Sequence, residues 1–275
     1  MTKTDHFRVG ECEIFKVLEQ EIPLPATMLF PDQLTDHFQP STLQLSVHSW
    51  VVKTPDALIV IDTASGNQRE RPASPMFHQL NTDYAQRLNN ILGDRRQVNW
   101  VLMTHLHGDH VGWNTHRVND QWQPMFPHAR YICSDAELTR WQQDPSRAAM
   151  VADSLTPVIN AGLLHTISPH ERPQFAGVLH YEPTPGHSYD HASIILHSAG
   201  EYALFSGDLM HNEIQVSQPG LASRFCEHRQ QAESQRRRML DWAADRHALW
   251  FSSHFAGRSA GYIQRQKQGF RWQAV

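Results

Sequence analysis

The stretch Thr104-His105-Leu106-His107-Gly108-Asp109-His110 decides how the rest of the chain is interpreted. It follows the apolar run 98–103, which predicts a β-strand that ends in a turn. Side chains at such a strand end lie at the edge of a sheet, where binding and catalytic residues concentrate. The two histidines before the glycine can converge on one cation, and the Asp-His pair after it can turn toward a second. This spacing therefore predicts a metal site.

Three later positions offer the additional ligands that two cations need, because a zinc ion binds about four ligands. His187, Asp208 and His254 each follow a run of apolar, strand-forming residues, so each is predicted at a strand end. Taken singly, a histidine after Pro-Gly is more often a turn residue, and Gly-Asp is more often a turn or a helix cap. Together with the 104–110 turn, the three residues favour one dinuclear centre.

The combined pattern resembles the ligand set of the metallo-β-lactamase superfamily, from about residue 46 to residue 271. The run 58–63, Leu-Ile-Val-Ile-Asp-Thr, is similar to the family's strand that ends in an Asp-Thr turn. The resemblance implies an α/β fold, a four-layer αβ/βα sandwich with a dinuclear site at the edge of its two sheets. It also implies the ligands: His105, His107 and His187 for one cation, Asp109, His110 and His254 for the other, and Asp208 as the bridge.

The spacing of these ligands resembles the branch of the superfamily that contains methyl parathion hydrolase and the acyl-homoserine lactonases. Class B1 and B3 β-lactamases lack the bridging carboxylate that Asp208 supplies here, and flavodiiron proteins carry glutamate where His107 stands. One position departs from the branch. Homoserine lactonases often place a tyrosine three residues after the bridging aspartate, to steady the substrate carbonyl, and this chain has His211 there.

The expected chemistry is hydrolysis without a protein nucleophile. Two cations that share Asp208 can share a water, which zinc ionises at about neutral pH, and the resulting hydroxide can attack a carbonyl carbon or a phosphorus. Asp208 can then move a proton to the leaving group. His211 is the candidate oxyanion donor or acid beside the substrate, and a supporting or surface role for it is equally open. Asp62 and His191 are expected to orient ligands rather than to bind metal.

The metal and the substrate are less closely defined by the sequence. A set of histidine and aspartate ligands favours two zinc ions, and manganese, iron or cobalt would also fit. Four apolar side chains are predicted to wall a pocket for an acyl chain or an aryl group: Trp113, Phe30, Met28 and Phe255. The alternative is that these side chains fill the core, and Trp113 is the strongest pocket candidate because it directly follows the metal turn.

Composition restricts the class of partner. The 275 residues carry a formal net charge of −4 and are 40% hydrophobic, which predicts one globular domain over 1–275 and no nucleic-acid partner. The basic cluster 236–238 is interpreted as part of an amphipathic helix whose charges face solvent. No long apolar run or leader-like segment occurs, so no membrane contact is expected. The cysteines predict free thiols and a cytoplasmic location: Cys12, Cys133 and Cys226.

Three functional hypotheses follow. The first is a hydrolase of lactones or carboxylic esters, with acyl-homoserine lactones as the leading substrates. The second is a phosphotriester or aryl-ester hydrolase of the methyl parathion hydrolase type. The third is a non-hydrolytic member, either a redox di-iron protein or a metal-binding module without turnover. A β-lactamase and a nuclease are the remaining hydrolytic alternatives. The resemblance also implies a homodimer, with residues 1–45 as a capping or dimerisation segment.

Local patterns predict the main elements. Strands are expected over 7–19, over 43–53 and 57–62 as a hairpin, and over 129–133. Helices are expected over 76–92, ending at Gly93, and from Ser134 onward. A further helix over 147–161 should be kinked near Pro157. Segments 262–265 and 269–272 are predicted as closing strands.

Overall fold

The computed structural model describes residues 5–34 and 40–275. Its contacts divide the chain into two compact units. The first unit contains the described part of Met1–Gln20 together with Val47–Ser168, and the second contains the described part of Glu21–Ser46 together with Pro169–Val275. Of the predicted N-terminal segment 1–45, residues 1–4 and 35–39 lie outside the described residues.

A seven-stranded sheet carries the metal turn of the first unit. Its strands, in spatial order, are β1 (His6–Val9), β2 (Cys12–Pro25), β3 (Thr42–Lys53), β4 (Leu58–Ile61), β5 (Trp100–Leu102), β8 (Arg130–Ser134) and β9 (Leu164–Ile167), and β6 (Thr115–Val118) and β7 (Gln121–Pro124) form a separate hairpin. Pairing is parallel from β4 to β5, β8 and β9. The central strand β4 is a continuous apolar run, as expected for a parallel strand covered on both faces.

A second seven-stranded sheet lies in the second unit. Its strands, in spatial order, are β10 (Gln174–Phe175), β11 (Leu179–Pro183), β12 (Ala192–Ser198), β13 (Glu201–Phe205), β14 (Leu249–Phe251), β15 (Ala260–Arg265) and β16 (Phe270–Ala274). Pairing is antiparallel except between β13 and β14, which run parallel. Because those two strands point the same way, the residues that follow them, Asp208 and His254, come to one edge of this sheet.

The described residues also form eight α-helices. They are α1 (Ala26–Leu29), α2 (Tyr84–Leu92), α3 (Gly108–Val111), α4 (Asp135–Gln143), α5 (Ala148–Met150), α6 (Thr156–Asn160), α7 (Ile214–Ser217) and α8 (Arg229–Arg246). The α/β class is therefore confirmed. None of the helices in residues 5–34 and 40–275 is long and apolar enough to cross a membrane. The three cysteines are free thiols and buried, as predicted.

Two helix predictions need correction. The helix expected over 76–92 begins only at Tyr84, because Gln79 adopts a positive φ of 50° that interrupts a helix, and the Asn67 side chain accepts a hydrogen bond from the Thr82 amide at 2.9 Å. The predicted kink in 147–161 is real, but it lies at a π-helical turn over Val151–Leu155, before Pro157. Ser134 caps α4 as predicted.

The charged face predicted for 236–238 is wrong at its first residue. Arg236 is fully buried on α8, as are Ala232, Met239 and Ala243. Its guanidinium donates to the carbonyl oxygens of Leu209 and Leu221, each at 2.8 Å, and also to that of Pro219. Arg236 therefore ties α8 to the loop that follows Asp208.

Candidate metal centre

The 104–110 turn presents its histidines directly after β5. His105 is buried, and its Nε2 lies 2.9 Å from Nδ1 of His107. The other nitrogen of His105, Nδ1, lies 3.0 Å from the hydroxyl of Thr104. Two imidazole nitrogens that approach each other this closely occupy the positions that neighbouring ligands take around one cation.

The last histidine of the turn, His110, contacts Asp62, which follows β4 with a positive φ of 51°. The Asp62 carboxylate accepts hydrogen bonds from the amide and the hydroxyl of Thr104, both at 2.8 Å, and lies 2.8 Å from Nδ1 of His110. Because Nδ1 of His110 faces Asp62, Nε2 of His110 points away from Asp62. The ligand atoms of Asp109 and His110 lie within 4.8 Å of each other. Asp62 thus occupies the orienting position that was predicted for it.

The loop after β4 is joined to the metal turn by backbone hydrogen bonds. The Thr63 amide donates to the His110 carbonyl at 2.7 Å, and the Gly112 amide donates to the Ala64 carbonyl at 2.8 Å. A Cβ on Gly112 would lie 1.9 Å from the carbonyl oxygen of Ser65. Only glycine permits this approach, so Gly112 fixes the distance between the two loops.

Glu19, on β2, is a buried acid that the sequence reasoning missed. Its carboxylate accepts hydrogen bonds from the amides of Ser65 (2.8 Å) and Gly66 (3.0 Å) and from the indole of Trp113 (2.6 Å). The Trp113 ring stacks on Tyr84 at 5.0 Å. Burial raises the pKa of Glu19 above its ordinary value, against the effect of these donors. Glu19 connects β2, the loop after β4 and the end of the metal turn.

In the second unit, three histidines surround the carboxylate of Asp208. The Nε2 atoms of His187 and His211 lie 3.1 and 3.3 Å from Oδ2, and Nε2 of His254 lies 3.0 Å from Oδ1. All four side chains are buried. A carboxylate surrounded by imidazole nitrogens is a donor set suited to a divalent cation.

The outer nitrogens of two of these histidines have defined partners. Nδ1 of His254 lies 2.9 Å from the carbonyl oxygen of Ser46, and Nδ1 of His187 lies 3.7 Å from Sγ of Cys226. Such partners fix the ring orientation and direct Nε2 inward. Cys226 therefore contacts the outer nitrogen of His187 and lies outside the candidate ligand groups. Burial raises the pKa of its thiol to about 11, so the thiol is protonated at neutral pH.

Asp208 is positioned through its own backbone. The Asp208 amide donates to Nε2 of His191 at 2.9 Å, and Nδ1 of His191 lies 3.1 Å from the Thr184 carbonyl. His191 thus contacts the backbone of Asp208, and its predicted role in orienting this ligand stays a prediction.

His211 differs from the other histidines around Asp208. It is 2% exposed, and neither ring nitrogen has a hydrogen-bond partner among the residues that the structure describes. Burial lowers its pKa below the ordinary value for histidine, which favours the neutral, metal-binding form. Buried polar atoms without hydrogen-bond partners are rare in folded proteins. No described protein atom satisfies the His211 nitrogens, and a bound cation would satisfy one of them.

The predicted pocket residues are mostly buried. Trp113, Phe30 and Phe255 are 5, 0 and 2% exposed, whereas Met28 is 36% exposed. Phe225 was not predicted, yet it is 41% exposed and its ring lies 6.0 Å from that of His211. A cavity of about 600 Å³ in the second unit opens beside Asn212, and none of the four predicted residues lines it. Their role at a substrate stays a prediction.

Each unit thus brings together some of the seven predicted ligands. The first holds the ligands of the turn: His105, His107, Asp109 and His110. The second holds those at its sheet edge: His187, Asp208 and His254, with His211 beside them.

Comparison with known proteins agrees with this donor set. The family model described as the metallo-beta-lactamase superfamily matches residues 43–254. No curated protein matches the sequence.

Solved structures share the fold over nearly the whole chain. AidC, described as a dizinc quorum-quenching lactonase in complex with its product, is 20% identical, with a TM-score of 0.81 over 99% of this chain and 97% of that one. The hydrolase AbOPH is 20% identical, with a TM-score of 0.83 over 100% of this chain and 98% of that one. An N-acyl homoserine lactone hydrolase with N-hexanoyl-L-homoserine at its catalytic metal centre is 15% identical, with a TM-score of 0.69 over 91% and 95%.

Proposed function

The chain belongs to the metallo-β-lactamase superfamily, and from that premise we propose that it is a dinuclear metallohydrolase that opens lactones or cleaves carboxylic esters. The observation that carries the proposal is the Asp208 carboxylate, which has Nε2 of His187 at 3.1 Å and Nε2 of His254 at 3.0 Å. Nε2 of His254 also lies 3.2 Å from Oδ2, the oxygen that His187 approaches. Ligands proposed for two different cations thus meet at one carboxylate, as a bridge between the cations requires.

The remaining ligands come from the 104–110 turn. We propose that His105 and His107 join His187 at one cation, and that Asp109 and His110 join His254 at the other. Zinc is the favoured metal for these nitrogen and oxygen donors, and manganese, iron or cobalt would fit them. When bound, the cations supply Lewis acidity and a water activated at neutral pH.

The protein's own residues have separable roles in this scheme. The Asp62 carboxylate and the Ser46 carbonyl each accept the Nδ1 proton of a ligand, His110 and His254, so that the Nε2 lone pairs face inward. Burial of Asp208 and His187 keeps bulk water away from the carboxylate. Asp208 is the group placed to pass a proton to the departing alkoxide.

An acyl-homoserine lactone is the leading substrate class. Two structural neighbours are described with a product of that class bound, which supports the proposal for this chain. The second unit also has apolar side chains at its surface. Phe225 is 41% exposed beside His211, and Met28 is 36% exposed. Surface of this kind suits an acyl chain.

A phosphotriester or aryl-ester substrate is the second candidate. The observation that favours it is His211, which stands where lactonases often carry a tyrosine that steadies the substrate carbonyl. The same pair of cations can polarise a phosphoryl oxygen as well as a carbonyl oxygen.

The test is hydrolysis of acyl-homoserine lactones from butanoyl to dodecanoyl by the zinc-loaded protein, followed by proton release, with metal content measured on the same sample. We expect two zinc ions per chain and turnover that rises with acyl length. Two zinc ions with turnover only of a paraoxon-type ester would select the second candidate. Two zinc ions without turnover of any ester would contradict the proposal.

A further inference from the structure

We propose that His211 is a metal ligand, which adds an imidazole donor to the cation bound by Asp208 and His254. The inference rests on the proposed function only in that the chain binds metal. It goes beyond the ligand set implied by the sequence, where His211 was a candidate for contact with the substrate.

The first support is the position of the His211 ring. The ligand atoms of Asp208, His211 and His254 all lie within 4.8 Å of one another. Nε2 of His211 approaches Oδ2 of Asp208 to 3.3 Å, but without the geometry of a hydrogen bond. The rings of His211 and His254 are nearly parallel, with an interplanar angle of 13° and centroids 5.4 Å apart. Both rings therefore direct Nε2 toward the same carboxylate.

The second support is the unsatisfied chemistry of the ring. His211 is 2% exposed, and neither Nδ1 nor Nε2 has a hydrogen-bond partner within residues 5–34 and 40–275. A buried imidazole is normally hydrogen-bonded on at least one nitrogen, because leaving both without partners is costly. A cation beside Asp208 would satisfy Nε2, which is the nitrogen that faces the carboxylate.

The third support is that two side chains, Gln215 and Arg236, hold the backbone on both sides of His211 in place. The amides of His211 and Asn212 donate to Oε1 of Gln215 at 2.7 and 3.2 Å, and Nε2 of Gln215 donates to the Leu221 carbonyl at 2.8 Å. On the other side, Arg236 donates to the Leu209 carbonyl at 2.8 Å. A turn fixed on both sides positions a ligand before the metal arrives, as metal-binding sites require.

Two histidines and one carboxylate form a common donor set for divalent iron, manganese and zinc. Asp208, His211 and His254 supply such a set from the second unit. A tyrosine at position 211 would offer a hydroxyl to the substrate, whereas histidine offers a nitrogen to the metal. Histidine in place of tyrosine at position 211 thus changes the coordination of the cation as well as the contact with the substrate.

The test compares zinc binding by the full chain and by His211→Phe, which keeps an aromatic ring and removes both nitrogens. Zinc content is measured during titration with a chelator, and the visible absorption of the cobalt-substituted protein is recorded. We expect one of two zinc ions to leave His211→Phe at a chelator concentration at least about tenfold lower. We also expect a changed cobalt spectrum. His197→Phe is the control, because this histidine is exposed on β12 and stacks on Tyr202.

Unchanged zinc affinity and an unchanged cobalt spectrum in His211→Phe would overturn the inference and leave the hydrolase proposal standing. Failure of the wild-type protein to bind zinc would remove both. If His211→Phe does not fold, a crystal structure of the zinc-loaded wild type decides. A distance of about 2.0–2.1 Å from Nε2 to zinc supports ligation, and a ring that contacts only water or substrate contradicts it.

Discussion

The carboxylate of Asp208 is the group on which the second half of the centre depends. Imidazole nitrogens of His187 and His254 lie 3.1 and 3.0 Å from its two oxygens. A cation at these positions would be bound by the carboxylate oxygens and imidazole nitrogens of these three buried side chains, with His211 beside them.

Replacement of a single ligand should remove bound metal and leave the protein folded. We expect His107→Ala and Asp208→Ala each to lose at least one metal ion per chain and to lower kcat/KM by more than about 100-fold, because even residues that only support ligands contribute 10- to 100-fold. Metal analysis and hydrolysis rates, measured on the same samples, check this.

Circular dichroism of both variants should remain that of a folded protein, and His197→Ala should behave as the wild type. Full activity in Asp208→Ala, with a normal metal content, would show that the carboxylate does not bridge the cations.

Among the secondary-structure elements, β2 reaches the metal turn through one side chain. The Glu19 carboxylate accepts three hydrogen bonds, from the Ser65 and Gly66 amides and the Trp113 indole. Ser65 lies against Gly112, and that contact sets the position of the turn that carries His110. Glu19 is thus a positioning residue that acts from outside the metal site.

The stability contributed by Glu19 should depend on pH. Burial raises its pKa in the folded protein above the ordinary value of 4.5. The unfolded chain therefore ionises first as pH rises, and the folded state loses stability between 4.5 and the higher folded pKa. We expect the free energy of unfolding of Glu19→Gln, relative to the wild type, to increase as pH is raised from about 4 to about 7.

Urea unfolding at several pH values measures this difference, with Glu21→Gln as the control. A difference that decreases with pH would mean that hydrogen bonds to the ionised carboxylate outweigh its burial.

Helix α8 holds the loop after Asp208 through Arg236. Its buried guanidinium donates to the Leu209 and Leu221 carbonyls, whereas the neighbouring Arg237 is exposed and pairs with Glu233. We expect Arg236→Met to lower the free energy of unfolding by about 3 kcal/mol, because it removes the Arg236 donors from the buried Leu209 and Pro219 carbonyl oxygens. Arg237→Ala should cost less than about 1 kcal/mol.

Urea unfolding and zinc affinity, measured for both variants, test this role. A loss of zinc affinity in Arg236→Met alone would link α8 to the metal site. Equal effects of the two substitutions would contradict the assignment of Arg236 as the support of this loop.

For the chain as a whole, the sequence predicted what depends on local pattern. Strands β4, β5, β13 and β14 are apolar runs. The orienting Asp62 follows β4, and a candidate ligand follows each of the others within three residues, so a short window contained both the element and its functional residue. Gly93 ends α2 and Ser134 caps α4 for equally local reasons.

The misses are residues whose partners are distant in the chain. Glu19 is 46 and 94 positions from Ser65 and Trp113, and Cys226 is 39 positions from His187. Arg236 was predicted to face solvent because it is charged. Its position in the helix indicates burial, since it lies four residues after the small, buried Ala232 and on the same helical face. The homodimer and the cytoplasmic location stay predictions.

Binding of metal should stabilise the entire folded chain. A ligand that binds only the native state adds about 4 kcal/mol when its free concentration is 1,000 times its Kd. In a protein of this length, that corresponds to an increase in Tm of roughly 8 °C. We expect Tm, measured by calorimetry, to rise with free zinc and to fall after chelation. The response should be smaller in Asp208→Ala, because that variant retains fewer donors. A Tm independent of zinc in the wild type would mean that the buried histidines around Asp208 are stabilised by protein contacts alone, and the proposed centre would then have to be abandoned.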